Sequence, residues 1–134
     1  MSQETRRVIE QYARSHDPQC FAEDAEFTQV ALLNPIEGRD AIADMLRLFY
    51  QEAFSDARGD LRHVAADTGQ DLGFIEFTFH GRHTGDLLGI PATGRTVDIA
   101  MLGVYEIRDG LIRRCRLYYD MATLLRQLGQ LPAN

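Results

Sequence analysis

The chain has 134 residues, with 14 arginines, no lysine and 20 acidic residues, so its formal net charge is −6. This length fits one domain over residues 1–134 and allows a core that needs neither disulfides nor a metal. The absence of lysine excludes a P-loop, a Schiff base and a lysine general base. An acidic chain without a basic footprint also argues against nucleic acid as a partner.

The two cysteines, Cys20 and Cys115, belong to no CxxC or Cys/His pattern of the kind that binds zinc. We therefore expect two reduced thiols and no metal. The first residues lack the apolar stretch of a signal peptide, and no apolar run approaches the length of a membrane span. These features predict a cytoplasmic protein without a membrane partner.

Apolar residues at helical spacing predict two helices in the first part of the chain. The first is expected over residues 3–15. The second begins at Asp40, and its apolar stripe continues to Phe54. Between the helices, the segment FTQVALL is typical of a strand, and Asn34-Pro35 is typical of a turn.

From Leu61 onward the apolar period changes to two. Three extended segments, LRHVAAD, GFIEFTFHGRHTG and TVDIAMLGVYEIRDG, precede a hairpin at Asp109-Gly110 and a last strand, LIRRCRLYYD. A short helix is expected to start at Asp120 and to end before Gly129. This order predicts an α+β fold in which a curved antiparallel sheet wraps around helices on one face. Such a cone leaves an internal pocket for a small molecule.

Alternation along the last strand leaves two alternatives open. It places Arg114, Arg116, Tyr118 and Asp120 on one face and Arg113, Cys115, Leu117 and Tyr119 on the other. In the first alternative the more apolar set packs into the core, the arginine face is solvated, and Asp120 is the N-cap of the last helix. In the second, the polar face lines the pocket, with Asp120 as an acid/base and Arg116 and Tyr118 as substrate contacts.

The segment FHGRHTG contains two of the four histidines, His80 and His83. A separation of three places them on opposite faces of a regular strand, so they do not share a metal. One of them can carry a proton or donate a hydrogen bond to a substrate carbonyl, or both are structural. Glu76 shares a face with His80, and it either reaches the pocket or is exposed.

Several catalytic motifs are absent from the sequence. It contains no GxGxxG, GxSxG or HExxH pattern, and its glycines between residues 81 and 94 do not precede a helix. The chemistry that remains is acid/base catalysis by a carboxylate without a cofactor, or binding alone.

The segment from Gly81 to Gly129 closely resembles the C-terminal half of SnoaL-like polyketide (ester) cyclases in the NTF2-like superfamily. GxHxG around His83, GIPATGR, the Asp-Gly hairpin, Asp120 after an aromatic residue and the closing LLxQLG all occur in the family's order. The first half is similar only through its initial helix, AEDAEF and EGRDAI. The resemblance implies an NTF2-like cone with a deep apolar pocket, usually a homodimer, with no metal or organic cofactor.

In polyketide cyclases of this family, the aspartate at the position of Asp120 is the acid/base of an intramolecular aldol ring closure. The resemblance implies that Asp120 removes a proton next to a carbonyl of a small apolar ligand and later returns it to the new alkoxide. His83 matches the family's recurrent histidine. Arg116 replaces a tryptophan that many members have, and its guanidinium can stabilise an oxyanion or bind a carboxylate.

Two other functions stay open. The same fold also hosts non-catalytic modules that bind small ligands or dimerise. The sequence RLYYD resembles limonene-type epoxide hydrolases of the superfamily, which combine an arginine with two carboxylates around a water. Arg116 and Asp120 would supply the arginine and one carboxylate, whereas the strand expected to hold the other offers Glu76 and Thr78.

Overall fold

The computed structural model describes residues 2–132, which form three α-helices and one six-stranded sheet. In chain order the elements are α1 (Ser2–Ser15), β1 (Phe21–Gln29), β2 (Asn34–Glu37), α2 (Arg39–Arg47), β3 (Phe54–Asp67), β4 (Leu72–His83), β5 (Thr96–Arg108), β6 (Leu111–Tyr118) and α3 (Met121–Gln127). A 3-10 turn at Pro18–Cys20 precedes β1, and a π-helical turn at Leu48–Glu52 joins α2 to β3. None of the described helices is long and apolar enough to cross a bilayer.

The strand order in the sheet is β2-β1-β6-β5-β4-β3. The predicted α+β fold is confirmed, but the sheet is mixed rather than purely antiparallel, because β1 and β6 run parallel. After β1 and β2 the chain passes through α2 to the far edge of the sheet and returns strand by strand until β6 lies beside β1. Apolar periodicity identifies strands but carries no information about which distant strand becomes a neighbour.

The helices cover one face of the sheet and form the core with it. Helix α1 packs against β3, β4 and β5, whereas α2 packs against β1. Ile9 and Tyr12 of α1 and Ile42 of α2 are buried in this layer. Gly73 of β4 permits the close approach of α1, because a Cβ atom there would lie 2.5 Å from Cγ1 of Ile9. Burial of apolar side chains on this inner face leaves the outer face of the sheet to solvent.

Boundaries on both sides of α2 differ from the predictions, and β1 ends at Gln29, before the last residues of the segment FTQVALL. The apolar stripe of the second helix predicts helix up to Phe54, but α2 ends at Arg47, and Phe54 begins β3 opposite His83. The π-helical turn causes this difference, because its wider hydrogen-bonding pattern changes the spacing of the apolar side chains. Asn34-Pro35 is not a turn but the start of β2, an edge strand, where a proline is tolerated.

Candidate functional site

An apolar cavity lies between the helices and the inner face of the sheet. Much of its wall is supplied by Phe27, Phe49, Phe77, Phe79, Met101 and Leu117. The cavity volume is about 30 Å³, which is room for about one water molecule. Pockets for larger organic ligands have volumes of roughly 300 Å³ or more, so such a ligand requires wall side chains to move outward.

Six side chains with polar atoms also line the cavity: Tyr12, His16, Gln29, Tyr50, Tyr105 and Tyr119. Burial raises the pKa values of Tyr50 and Tyr119 to about 12, and it raises those of Tyr12 and Tyr105 well above their usual value. All four phenols therefore keep their protons at neutral pH. Once the wall side chains have moved outward, neutral phenols of this wall could donate hydrogen bonds to the oxygen of an apolar carbonyl compound.

A hydrogen bond crosses the cavity wall between β1 and the end of β6. The hydroxyl of Tyr119 donates to Oε1 of Gln29 over 2.5 Å. Gln29 is only 3% exposed, so this bond satisfies an amide oxygen that has little access to water. The bond fixes the amide on the cavity wall and uses the Tyr119 proton.

A wider groove of about 530 Å³ lies outside the cavity. His16, Leu46 and Tyr50 line both spaces and therefore form the wall between them. The groove is also lined by three arginines, namely Arg14, Arg47 and Arg58. Outward movement of the shared wall would join the two spaces.

His16 is held at this wall by the end of α1. Its backbone N–H donates to the carbonyl of Tyr12 over 2.9 Å, and its φ of 51° is in the left-handed region. Glycine or asparagine usually occupies such a position after a helix, because a Cβ atom disfavours it. Burial lowers the pKa of His16, so its imidazole is uncharged at neutral pH.

Asp120 lies at the start of α3, with its carboxylate exposed to solvent. Its Oδ2 accepts from Oγ1 of Thr123 over 2.8 Å, and its Oδ1 accepts from the N–H of Ala122 over 3.1 Å. The hydrogen bond from Thr123, followed by those from the backbone, lowers the pKa of the carboxyl group. The predicted N-cap is thus confirmed, while the acid/base role of Asp120 stays a prediction.

The structure decides between the two alternatives for β6. Cys115 and Leu117 are buried, and Tyr119 beyond them lines the cavity. The expectation that Arg116 and Tyr118 line the cavity is wrong, because these two side chains lie on the opposite face. Burial of the apolar set removes more apolar surface from water and leaves the guanidinium groups of Arg114 and Arg116 on the outer face, where they pair with Glu26 and Glu106.

Arg116 and Asp120 have separate partners. The guanidinium of Arg116 donates to Glu106 over 2.6 Å, whereas the carboxylate of Asp120 caps α3. The resemblance to epoxide hydrolases predicts that the two side chains share one site, whereas in the structure each binds a different partner.

His80 and Glu76 also lie on the outer face of the sheet. His80 contacts Asp98 and, through Nε2, a carboxylate oxygen of Asp60 at 2.8 Å. Glu76 pairs with His63 at 2.7 Å. These two side chains do not line the cavity, because they alternate along β4 with Phe77 and Phe79, which do. Their role as substrate contacts stays a prediction.

His83 is fully buried and faces away from His80, as the spacing predicts. Its Nδ1 accepts from the N–H of Thr93 over 3.1 Å, and its ring centroid lies 5.5 Å from that of Phe54. It does not line the cavity, and its catalytic role stays a prediction. Within residues 2–132, no group of three or more His, Cys, Asp or Glu side chains is arranged to hold a metal ion.

Sequence reasoning missed the most polar part of the cavity wall. His16, Tyr12 and Tyr50 were not among the candidate site residues. One signal was available, since Tyr12 and His16 are four residues apart, the spacing at which side chains meet along a helix. The position of Gln29 opposite Tyr119 had no such signal, because it depends on the parallel pairing of β1 and β6.

Comparison with known proteins identifies relatives of this chain. Residues 4–128 match the family described as SnoaL-like polyketide cyclase. Aklanonic acid methyl ester cyclase DnrD from Streptomyces peucetius is 29% identical over 133 residues, which cover 93% of this chain and 88% of that protein. Aklanonic acid methyl ester cyclase DauD from Streptomyces sp. (strain C5) is 30% identical over an alignment of 135 positions. The alignment covers 93% of this chain and 79% of that protein. Among solved structures, TsrD from Streptomyces laurentii superposes with a TM-score of 0.76 at 25% identity, covering 96% of this chain and 95% of TsrD.

Proposed function

The chain belongs to the SnoaL-like polyketide cyclase family, and we propose that it closes a ring in a small apolar carbonyl compound bound in the cavity. The observation that carries this proposal is the cavity wall, in which aromatic and aliphatic side chains surround a few neutral hydrogen-bonding groups. The ester for which the two Streptomyces relatives are named is the first substrate to test.

The proposed reaction is an intramolecular aldol addition. A base removes the proton from the carbon next to a carbonyl, and the resulting carbanion attacks a second carbonyl carbon of the same molecule. One carbon–carbon bond forms, and the new alkoxide receives the proton, so the product is an isomer of the substrate. The cavity would contribute by holding the two reacting carbons together and by donating hydrogen bonds to the developing oxyanion.

The resemblance assigns the acid/base step to Asp120, and we retain that assignment as part of the proposal. Asp120 directly follows Tyr119, whose side chain lines the cavity. To reach a ligand there, its carboxylate must exchange the hydrogen bonds from Ala122 and Thr123 for a contact with the substrate. The assignment therefore requires a movement at the start of α3 when the ligand binds.

The variant Asp120→Asn tests this assignment, because asparagine remains a good N-cap but does not accept the proton. We expect turnover to fall about 100-fold or more while ligand affinity changes little. Asp17→Asn is the matched control, since Asp17 also caps a helical turn, by accepting from the N–H of Gln19 over 2.9 Å. Undiminished turnover in Asp120→Asn would remove Asp120 from the acid/base role.

The second candidate is a module that binds a ligand in the same cavity without converting it. The exposed carboxylate of Asp120 favours it, because in this position the side chain caps α3 and is directed to solvent. Binding of the ester without conversion by the wild-type protein would establish this alternative.

A further inference from the structure

Two side chains in the wall between the cavity and the groove, His16 and Tyr50, form a polar pair. Nε2 of His16 lies 3.4 Å from the hydroxyl of Tyr50, and their ring centroids are 5.1 Å apart. The His16 ring is also packed against Tyr12, at 5.3 Å, and against Phe77, at 6.1 Å. The other three histidines do not line the cavity.

The charged groups around His16 leave its imidazole neutral. None of the ion pairs in the described part of the chain involves His16, and the carboxylate of the adjacent Asp17 accepts from Gln19. From the packed elements it faces the phenols of Tyr12 and Tyr50, and the arginines of the groove lie on its outer side. Burial lowers the pKa of His16 and raises that of Tyr50 to about 12, so both groups are uncharged near neutral pH.

The hydrogen-bond inventory of this pair leaves one donor unused. A neutral imidazole carries one N–H, and a phenol carries one O–H. The contact between Nε2 and the hydroxyl uses one of these two protons, whichever tautomer is present. The other proton has no partner within the pair, and both residues line the cavity and the groove.

We infer that the His16–Tyr50 pair is the carbonyl-binding element of the cavity. Its part in catalysis rests on the proposed function, whereas binding of the carbonyl does not. The unused donor binds the carbonyl oxygen of an entering ligand, with the apolar ring system directed into the aromatic wall. As the proton leaves the adjacent carbon, negative charge grows on that oxygen and the hydrogen bond strengthens. His16 and Tyr50 exchange no proton with the substrate, since the proton passes to the base and then to the new alkoxide.

The test compares two ligands that share a ring skeleton, the ketone 2-tetralone and the hydrocarbon tetralin. Their dissociation constants are measured near pH 7.5 for the wild type and for the double variant His16→Gly/Tyr50→Phe, which removes both donors. Glycine suits the left-handed backbone at position 16. We expect the preference for the ketone over the hydrocarbon to fall about fivefold to tenfold in the variant, which corresponds to one lost hydrogen bond. The enlarged cavity affects both ligands alike, so the ratio isolates the carbonyl.

A second readout observes the hydrogen bond itself. Isotope-edited infrared spectroscopy of 2-tetralone labelled with carbon-13 at the carbonyl should show a lower stretching frequency in the wild type than in the double variant. The matched control is His63→Gly/Tyr118→Phe, which makes the same two changes at exposed positions on the outer face and should behave like the wild type.

The inference is overturned if the stretching frequency and the ligand ratio are the same in the wild type and the double variant, or if 2-tetralone does not bind to the wild type. Neither readout depends on turnover. A wild-type protein that shows the lower carbonyl frequency but leaves the ester unconverted would refute the proposed cyclase function and support the carbonyl-binding element.

Discussion

Tyr119 at the end of β6 donates a hydrogen bond of 2.5 Å to Gln29 of β1, so the two parallel strands are tied together in the cavity wall. In Tyr119→Phe, the Gln29 amide oxygen loses this donor in a site that is 3% exposed. We expect the free energy of unfolding to fall by about 1–3 kcal/mol, as measured by urea denaturation. Tyr118→Phe, at an exposed position, should change it by less than about 0.5 kcal/mol. Equal stability of the two variants would show that the bond contributes little.

The cap formed by Asp120 gives a second prediction. Asp120→Ala should lower Tm, whereas Asp120→Asn should keep Tm close to that of the wild type, because asparagine also accepts from the first N–H groups of α3. The pKa of Asp120 is lowered from its usual 3.8, so the stabilisation is present above that value and is lost as pH falls through the lowered pKa. Asp120→Asn should therefore lose less stability than the wild type over this acidic range. Similar losses in both proteins would contradict the prediction.

The burial of His16 predicts a second loss of stability at low pH, caused by the burial of a neutral imidazole and not by the hydrogen bonds of a carboxylate. Its pKa is lowered from 6.5, so the unfolded chain binds more protons than the native protein as pH falls below that value. The wild type should lose stability from about pH 6.5 down to the lowered pKa of His16, below which this contribution stays constant. His16→Asn, which suits the left-handed backbone, should flatten this part of a urea-midpoint profile. His63→Asn, at an exposed position, should leave the slope unchanged.

Gly103 determines where the ring of Tyr105 lies. A Cβ atom at Gly103 would be 2.4 Å from the Tyr105 hydroxyl and 2.5 Å from Cε1 of the same ring. Gly103→Ala should displace the ring, reduce the free energy of unfolding by about 1–3 kcal/mol and weaken binding of 2-tetralone. Gly69→Ala is the control, since a Cβ atom there would lie 3.5 Å from a carboxylate oxygen of Asp67, which is an ordinary contact. Unchanged affinity of Gly103→Ala for 2-tetralone would show that the position of the Tyr105 ring does not affect ligand binding.

The sequence was most informative where neighbouring residues determine the structure. Period-two alternation predicted the long strands, and Asp109-Gly110, with φ values of 54° and 76°, forms the expected hairpin turn. The π-helical turn at Leu48–Glu52 was not predictable from a helical stripe, because the stripe does not show where one extra residue widens the helix. The parallel pairing of β1 and β6 is likewise a property of the whole chain.

The same division applies to the site. The N-cap role of Asp120 could be inferred locally and is confirmed. Local alternation could not show which face of β6 is inward, because that depends on the total apolar surface that the helices and the other strands bury against it. The His16–Tyr50 pair was beyond reach for a similar reason, since it joins the end of α1 to the turn after α2, 34 positions apart.

The measurement that tests the central claim most directly is turnover of aklanonic acid methyl ester by the purified wild-type protein, followed by chromatography and mass spectrometry. The account predicts a new product with the same mass as the ester, formed at a rate proportional to protein concentration, because ring closure by aldol addition is an isomerisation. Chemical-shift changes at cavity residues such as Tyr12 and Tyr119 would report binding in the same samples. If the chemical shifts show that the ester is bound but the ester is recovered unchanged, the cyclase proposal is contradicted. The protein is then a binding module.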